Sequence, residues 1–351
     1  MINKRLFDHY GIDTNKNLGI RKICSRPFDT VLIDKQGSCY ACECTSWLPQ
    51  SVGNLQIQTL HEIINRNSMR EHLQSSITDG SYRYCNEHQC SYIKSNSVLD
   101  WRPKRIEHLR LAIDDSCNLR CPSCRKQLLF LSNSEDPLDK NRVAEYERRK
   151  RFADKINEWL ETYYYPLQVH IGSDGDPFAS HIYRHFMEHT PRRDNIKYSI
   201  LTNALMFESF HERVPHIINN LQELGVSIDG ASKQTYEKLR LGGNWEKINQ
   251  NLQCISELKQ KHNFRFILHF VVQKDNYHEM EDIIQLGKQY NADRVWLNKM
   301  EDWNVIENFS DINIFRPEHP LHEDYRQTLQ KIKPYLGVEK NPHVEITTLN
   351  I

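Results

Sequence analysis

The sequence has 351 residues, more than one domain of about 100–200 needs, so two domains are expected. Its 46 Lys and Arg balance 46 Asp and Glu, which excludes a nucleic-acid-coating or polybasic membrane protein, whose basic residues run in excess. With 38% hydrophobic residues it can bury a core, and no stretch approaches the roughly 20 apolar residues of a bilayer span, so no membrane partner is expected.

The opening Met1-Ile2-Asn3-Lys4-Arg5-Leu6-Phe7-Asp8 lacks the apolar run of a signal peptide, and a cytoplasmic, reducing setting follows as the expectation. Ten cysteines are then the anomaly, because clustered thiols in such a setting bind metal more often than they pair. Cys254 stands alone on an amphipathic stretch and reads as a small core hydrophobe. The other nine fall between residues 24 and 124, in two sets. Cys24, Cys39, Cys42, Cys44, Cys85 and Cys90 precede a linker-like stretch, Asp100-Trp101-Arg102-Pro103-Lys104-Arg105, whereas Cys117, Cys121 and Cys124 follow it. The expected division is therefore 1–105 and 106–351, with a carboxy-terminal extension from about 305.

In the first part, Val31-Leu32-Ile33 and the turn Lys35-Gln36-Gly37 predict a β-hairpin that brings Cys24 and Cys42 towards one place. A helical stretch follows near Thr59–Gln74. Beyond residue 105, strands are expected at His108–Ile113, Gln168–Ile171, Lys197–Leu201, Gly225–Ile228, Phe264–Val272 and Arg294–Leu297. Helices are expected at about Lys140–Tyr164, through Tyr183–Phe186 and near Val214–Leu224. Ser132-Asn133-Ser134-Glu135-Asp136-Pro137 reads as a loop. Six strands alternating with helices predict a parallel α/β sheet, which carries its reactive residues in loops after the strands' carboxyl ends. Of the common hydrolase and nucleotide signatures, H-E-x-x-H, the P-loop, G-x-S-x-G and G-x-G-x-x-G are all missing.

The first such loop reads Cys117-Asn118-Leu119-Arg120-Cys121-Pro122-Ser123-Cys124. Pro122 disfavours a regular helix through it, leaving a loop that can wrap one object. Structural zinc takes four ligands, and a [4Fe–4S] cube held by three thiolates keeps one iron open for a small molecule. A zinc knuckle with a distant fourth ligand is the plainer alternative.

The C-x3-C-x2-C loop after a first strand resembles the radical S-adenosylmethionine (SAM) enzymes, and further motifs follow in that family's order over roughly residues 106–300. After the second strand, Gly172-Ser173-Asp174-Gly175-Asp176-Pro177 is similar to the family's Gly-Gly-Glu-Pro, with Asp for Glu. After the third, Leu201-Thr202-Asn203 resembles Thr-Asn-Gly, with Ala204 in place of Gly. After the fourth, Ser227-Ile228-Asp229-Gly230 precedes Thr235-Tyr236-Glu237-Lys238-Leu239-Arg240. The resemblance implies a partial (β/α)6 TIM-like barrel whose Cys117, Cys121 and Cys124 hold a SAM-binding [4Fe–4S] cluster. It also implies that the backbone at Asp174, Gly175 and Asp176 meets the methionine amino group, with Asn203, Ser227, Asp229 and Arg240 near SAM. Gln273, Asn276, Asn298, Lys299 and Glu301 also follow strands and suit adenosine or substrate contact, though no general base can be chosen among them.

The first hundred residues resemble a Twitch module, a shortened SPASM domain with one auxiliary cluster, here placed ahead of the barrel rather than after it. The resemblance makes Cys24, Cys42, Cys85 and Cys90 the expected ligands of an auxiliary [4Fe–4S] cluster in a cysteine-rich α+β module, with Cys39 and Cys44 left open between free thiols and further ligands through Cys39-x2-Cys42 and Cys42-x-Cys44. A four-thiolate zinc site is the rival. The implied activity is reductive cleavage of SAM to a 5′-deoxyadenosyl radical that takes hydrogen from a peptide or small-molecule substrate. An external one-electron reductant such as flavodoxin or ferredoxin is the expected partner. The alternatives are a zinc-bearing binding module with an inactive barrel, or a tRNA-modifying member of the superfamily. The balanced charge speaks against any nucleic-acid partner.

Overall fold

The computed structural model describes residues 22–43, 51–65, 67–86, 90, 99–100, 105–132, 140–172, 174–302, 304–336 and 342–346. Cys44, residues 101–104 of the expected linker, residues 133–137 of the expected loop and Ser173 lie outside them. The fold is α/β, with the strand–helix alternation of a partial TIM-like barrel. Contacts divide the chain into two compact units: residues 1–114 with 133–171 and 189–197, and residues 115–132 with 172–188 and 198–351.

The first unit contains, in chain order, β1 (Lys22–Ile23), α1 (Arg26–Asp29), β2 (Thr30–Asp34), β3 (Ser38–Tyr40), β4 (Gly53–Asn54), α2 (Leu60–Asn65) and α3 (Ser68–Thr78). It continues with β5 (Leu99–Asp100), β6 (His108–Ala112), α4 (Lys140–Thr162) and β7 (Leu167–Ile171). Its main sheet runs β7-β6-β2-β3-β4, while β1 pairs with β5. The predicted hairpin is β2–β3. Asp34 builds its turn, accepting through Oδ1 from Gln36 N at 2.9 Å and Ser38 N at 2.8 Å. Gly37 is required there: its φ is +80°, and a Cβ would lie 2.6 Å from the Phe152 ring on α4. From the hairpin, β2 pairs in parallel with β6, so the segment ahead of residue 105 adds strands beside the first strand that follows it.

The single helix expected at Thr59–Gln74 is two. A capping box starts α2, with Thr59 N donating to Glu62 Oε2 at 2.8 Å and Glu62 N to Thr59 Oγ1 at 3.3 Å. Asn67 then caps α3, its side chain accepting from Arg70 N at 3.0 Å.

The second unit holds α5 (His181–His189), β8 (Ile196–Thr202), α6 (Phe207–Phe210), α7 (Pro215–Asn219), β9 (Leu221–Ser227), α8 (Lys233–Leu239) and α9 (Trp245–Lys261). After these come β10 (Arg265–Val272), α10 (Met280–Gln289), β11 (Arg294–Lys299), α11 (His322–Ile332) and β12 (His343–Ile346). Its strands run β12-β11-β10-β9-β8, all parallel. Period-two packing orders β10: Phe266, Leu268, Phe270 and Val272 are buried on one face, and Ile267, His269 and Val271 share the other.

Three expectations are corrected. The helix expected at Val214–Leu224 ends at Asn219, and Leu221–Ser227 is strand, because Leu221 and Leu224 find backbone partners opposite Tyr198 and Ile200 of β8. A seventh parallel strand in this series, β12, was not expected; it lies along β11. Cys254 is half-buried on α9 rather than in the core. No helix among the described residues is long and apolar enough to cross a membrane.

Candidate functional site

The three-cysteine loop leaves the end of β6 and is pinned along its length by backbone bonds. Cys117 N donates to Leu129 O at 2.8 Å, Arg120 N to Leu241 O at 2.9 Å, and Cys124 N and Arg125 N both to Cys121 O at 3.0 Å. Arg125 reaches back to Asp115 O at 2.7 Å and to Asp174 O. Asp176 N donates to Ser116 O at 2.9 Å, which joins the loop after β7 to the loop after β6. Cys117 and Cys121 are buried, while Cys124 is exposed.

Asp176 is the node of the site. Its side chain is buried and accepts four hydrogen bonds: Phe178 N at 3.1 Å and Ala179 N at 3.0 Å on Oδ1, Thr202 Oγ1 and Asn203 N at 2.6 Å each on Oδ2. Burial pushes its carboxyl above the usual range, and these four donors pull against that. Through them the Asp176 loop and the end of β8 hold one geometry. The expectation gave Asp176 a backbone role; the structure adds a side chain that fixes Asn203. Gly172 permits the approach, since at φ +95° a Cβ would stand 2.5 Å from Leu201 O.

Asn203, so placed, donates through Nδ2 to Asn118 Oδ1 at 2.8 Å and to Cys117 Sγ at 3.6 Å. Cys117 Sγ also accepts from Leu119 N at 3.4 Å. From the other side Arg240, at the end of α8, donates through Nη1 to Cys121 Sγ at 3.8 Å. Asp229 holds that guanidinium at 2.8 Å and accepts from Val271 N at 2.8 Å, with Asn276 Nδ2 on its carbonyl at 3.0 Å. Burial works against the Arg240 charge, but Asp229 and the Cys121 sulfur keep the group protonated. The structure thus assigns Asp229 first to Arg240 rather than leaving it open. Ser227 is half-buried and its hydroxyl makes no hydrogen bond among the described residues; Asp174 is exposed and Gly175 half-buried.

Several residues of this network were invisible in the motifs. Thr202 both donates to Asp176 and accepts from Ala204 N at 2.9 Å. Glu279 receives Ala231 N, Ser232 Oγ and Thr235 Oγ1, each at 2.6 Å, and so shapes the turn into α8 that carries Arg240. Ser232 as a cap before Thr235 was the readable part of that signal; its tie to Glu279, 47 residues on, was not.

The second thiol set belongs to the first unit. Cys24, Cys42, Cys85 and Cys90 lie within electrostatic reach of one another; burial pushes the Cys24 thiol up and raises Cys85 to about 12, and the neighbouring sulfurs add to both. Tyr82 lies beside this set, its hydroxyl accepting from Cys24 N at 3.3 Å. Cys39 lies apart, with Gly37 O 3.7 Å from its sulfur and Asp34 and Arg70 as its charged neighbours.

Both sets supply the sulfur donors that an iron–sulfur cluster takes. Burial raises Cys117 to about 11 and also raises Cys121, so as thiols they keep their protons. A bound cation replaces those protons, and the N–H groups aimed at the sulfurs then meet thiolate charge. Among the described residues no three His, Cys, Asp or Glu side chains are gathered at metal-ligand spacing.

Comparison with known proteins agrees with this chemistry. Residues 113–287 match the family model of the radical SAM superfamily, and residues 24–91 match that of SPASM, an iron–sulfur cluster-binding domain. A curated relative is the GTP 3′,8-cyclase of Synechocystis sp., 23% identical over 208 residues, which are 59% of this chain and 58% of that protein. The GTP 3′,8-cyclase of Clostridium botulinum strain Okra is 21% identical over 55% of this chain and 56% of its own length. The chain thus spans a little under 60% of the length of the curated relatives it matches. Among solved structures, Streptococcus suis SuiB bound to S-adenosylmethionine matches with a TM-score of 0.41 at 16% identity, over 68% of this chain and 49% of that one. SuiB bound to the precursor peptide SuiA matches with a TM-score of 0.43 at 11% identity, over 82% and 64%.

Proposed function

We propose that this chain, which belongs to the radical SAM superfamily and carries an SPASM iron–sulfur domain on its amino-terminal side, cleaves SAM reductively and oxidises or cross-links an unactivated C–H position of a peptide or small molecule. Its cofactors are a SAM-binding [4Fe–4S] cluster, an auxiliary cluster and SAM. When bound, these supply a 5′-deoxyadenosyl radical, the hydrogen-abstracting species that no amino-acid side chain could provide.

The chain's own residues position and shield. Cys117, Cys121 and Cys124 would hold the first cluster, and Cys24, Cys42, Cys85 and Cys90 the second. Asn203 and Arg240 point N–H groups at Cys117 and Cys121, which stabilises thiolate charge. Asp176 and Asp229 fix those two donors in turn. Asp174, Gly175, Ser227 and the peptide groups around Asp176 are the candidate contacts to SAM. The curated relatives act on GTP, and SuiB has been seen with its precursor peptide, so both substrate classes remain in the proposal. An external one-electron donor, flavodoxin or ferredoxin in kind, completes the set of partners.

One observation carries this reading: from the end of strand β8 and the end of helix α8, Asn203 and Arg240 converge on two thiols of a single C-x3-C-x2-C loop. The test is anaerobic reconstitution followed by incubation with SAM and a strong reductant. About eight iron per chain and the formation of 5′-deoxyadenosine are expected. Tightly bound zinc with no 5′-deoxyadenosine would overturn the proposal in favour of a binding module.

A further inference from the structure

Strands β6 and β7 carry on one face a group of basic side chains that radical generation does not use. In their parallel register Arg110 stands beside His170, and His108 shares its face with Arg110 two residues on. That face is the less buried one: His108, Arg110 and His170 are half-buried, whereas Leu109, Leu111, Val169 and Ile171 on the opposite face are buried. His108 Nδ1 and His170 Nε2 lie 3.4 Å apart. Whichever of the two carries the shared proton, a neutral pair turns one N–H outward. Burial, with Arg110 and Arg26 nearby, holds His170 down to about 3 and also lowers His108, so both rings are neutral at pH 7.

Arg110 is held at one corner only. Glu43 Oε1 forms an ion pair with it, 2.7 Å from Nε but without hydrogen-bond geometry, and lies 3.6 Å from Arg26 Nη1, so one carboxylate is shared between two guanidinium groups. Asp29 does not reach Arg110; it accepts from Thr30 Oγ1 at 2.9 Å and has Arg70 as its charged neighbour. Among the described residues the two terminal nitrogens of Arg110 meet no acceptor. A guanidinium ion-paired on its Nε side presents its terminal N–H groups as a fork suited to two oxygens of one anion.

We propose that the Arg110 fork and the outward N–H of the His108–His170 pair form a binding site for a small oxyanion, phosphate or carboxylate, carried by the substrate. Two oxygens engage the guanidinium and a third, or a lone pair of the second, accepts from imidazole. The site adjoins the amino-terminal thiol set in sequence: Glu43 follows Cys42, and Arg26, whose N–H bonds to the Cys24 sulfur, lies two residues after it. An anionic substrate group seated here would stand beside the auxiliary cluster. Oxyanion binding does not itself require SAM cleavage, so the two ideas fail separately.

The test is line broadening in NMR titrations of the full, anaerobically reconstituted chain at low ionic strength, with inorganic phosphate (³¹P) in one arm and acetate (¹³C) in the other. Saturable binding is expected in at least one arm; stronger phosphate binding assigns a phosphoryl group, stronger acetate binding a carboxylate. Arg110→Gln should weaken it about tenfold, the loss of one charge-assisted pair. Arg110→Lys, which keeps the charge without the fork, should lose a smaller factor. Arg265→Gln, at an exposed arginine paired with Glu223, should change nothing. Absence of saturable binding in both arms, or parental affinity in a folded Arg110→Gln variant, would overturn the proposal.

Discussion

Replacing Asp176 by alanine removes an acceptor from four donors at once, three of them backbone N–H groups inside the protein. At about 1 kcal/mol net per bond, four bonds amount to about 4 kcal/mol. The carboxylate also carries a burial cost, visible in its raised pKa, and alanine relieves it. The expected loss is therefore about 3 kcal/mol. Asparagine should cost about 2 kcal/mol: its carbonyl can keep Phe178 N and Ala179 N, but its amide then faces Asn203 N–H with a second donor. The assay is urea unfolding, read alongside hydrogen exchange at Asn203, whose amide loses its 2.6 Å partner in both variants. A folded alanine variant within about 0.5 kcal/mol of the parent, with unchanged exchange at Asn203, would refute the view that Asp176 fixes the end of β8.

Other expectations follow from the same geometry. Gly172→Ala should destabilise by about 3 kcal/mol, because the left-handed backbone and the Leu201 carbonyl both oppose a Cβ; thermal unfolding would show it. Ala204 sits at φ +60°, where the related motif has glycine, so Ala204→Gly relieves strain while losing one buried methyl and should stay within about 1 kcal/mol of the parent. Burial, with Arg294 and Arg240 nearby, lowers His269 to about 4. A depressed histidine contributes stability above its unfolded pKa of about 6.5 and loses it as pH falls towards the folded value, by up to about 3 kcal/mol. His269→Gln should flatten the fall in urea midpoint between pH 6.5 and 4, and parallel curves would contradict this. Cys121→Ala should abolish 5′-deoxyadenosine formation while leaving the amino-terminal cluster's iron in place, measured as about four iron per chain.

How much of this was legible depended on how local each interaction is. The hairpin, the helix start near Thr59 and the strands at His108, Lys197 and Phe264 were readable because turn chemistry and side-chain period act over a few residues. The stretch Ile217-Ile218-Asn219-Asn220-Leu221-Gln222-Glu223-Leu224 carries a helical spacing of apolar residues, yet its second half is strand, since β8 offers a backbone edge that no local pattern encodes. His343–Ile346 is too short to announce itself as strand without β11 beside it. At the site, the cysteines and the Gly-Asp-Pro turn were legible as types in order. What each side chain does was not: Asp176 gripping Asn203, Asp229 committed to Arg240, and Glu279 gathering three donors are pairings across 11 to 48 residues.

The central claim is that Cys117, Cys121 and Cys124 hold a cluster with one iron left for SAM. Its most direct test uses Cys85→Ala protein, which should retain that cluster while lacking an intact auxiliary one. After anaerobic reconstitution and reduction, its electron paramagnetic resonance spectrum should shift when SAM is added, because SAM becomes a ligand of the open iron. A spectrum from a reduced cluster that is unchanged at saturating SAM would contradict the account.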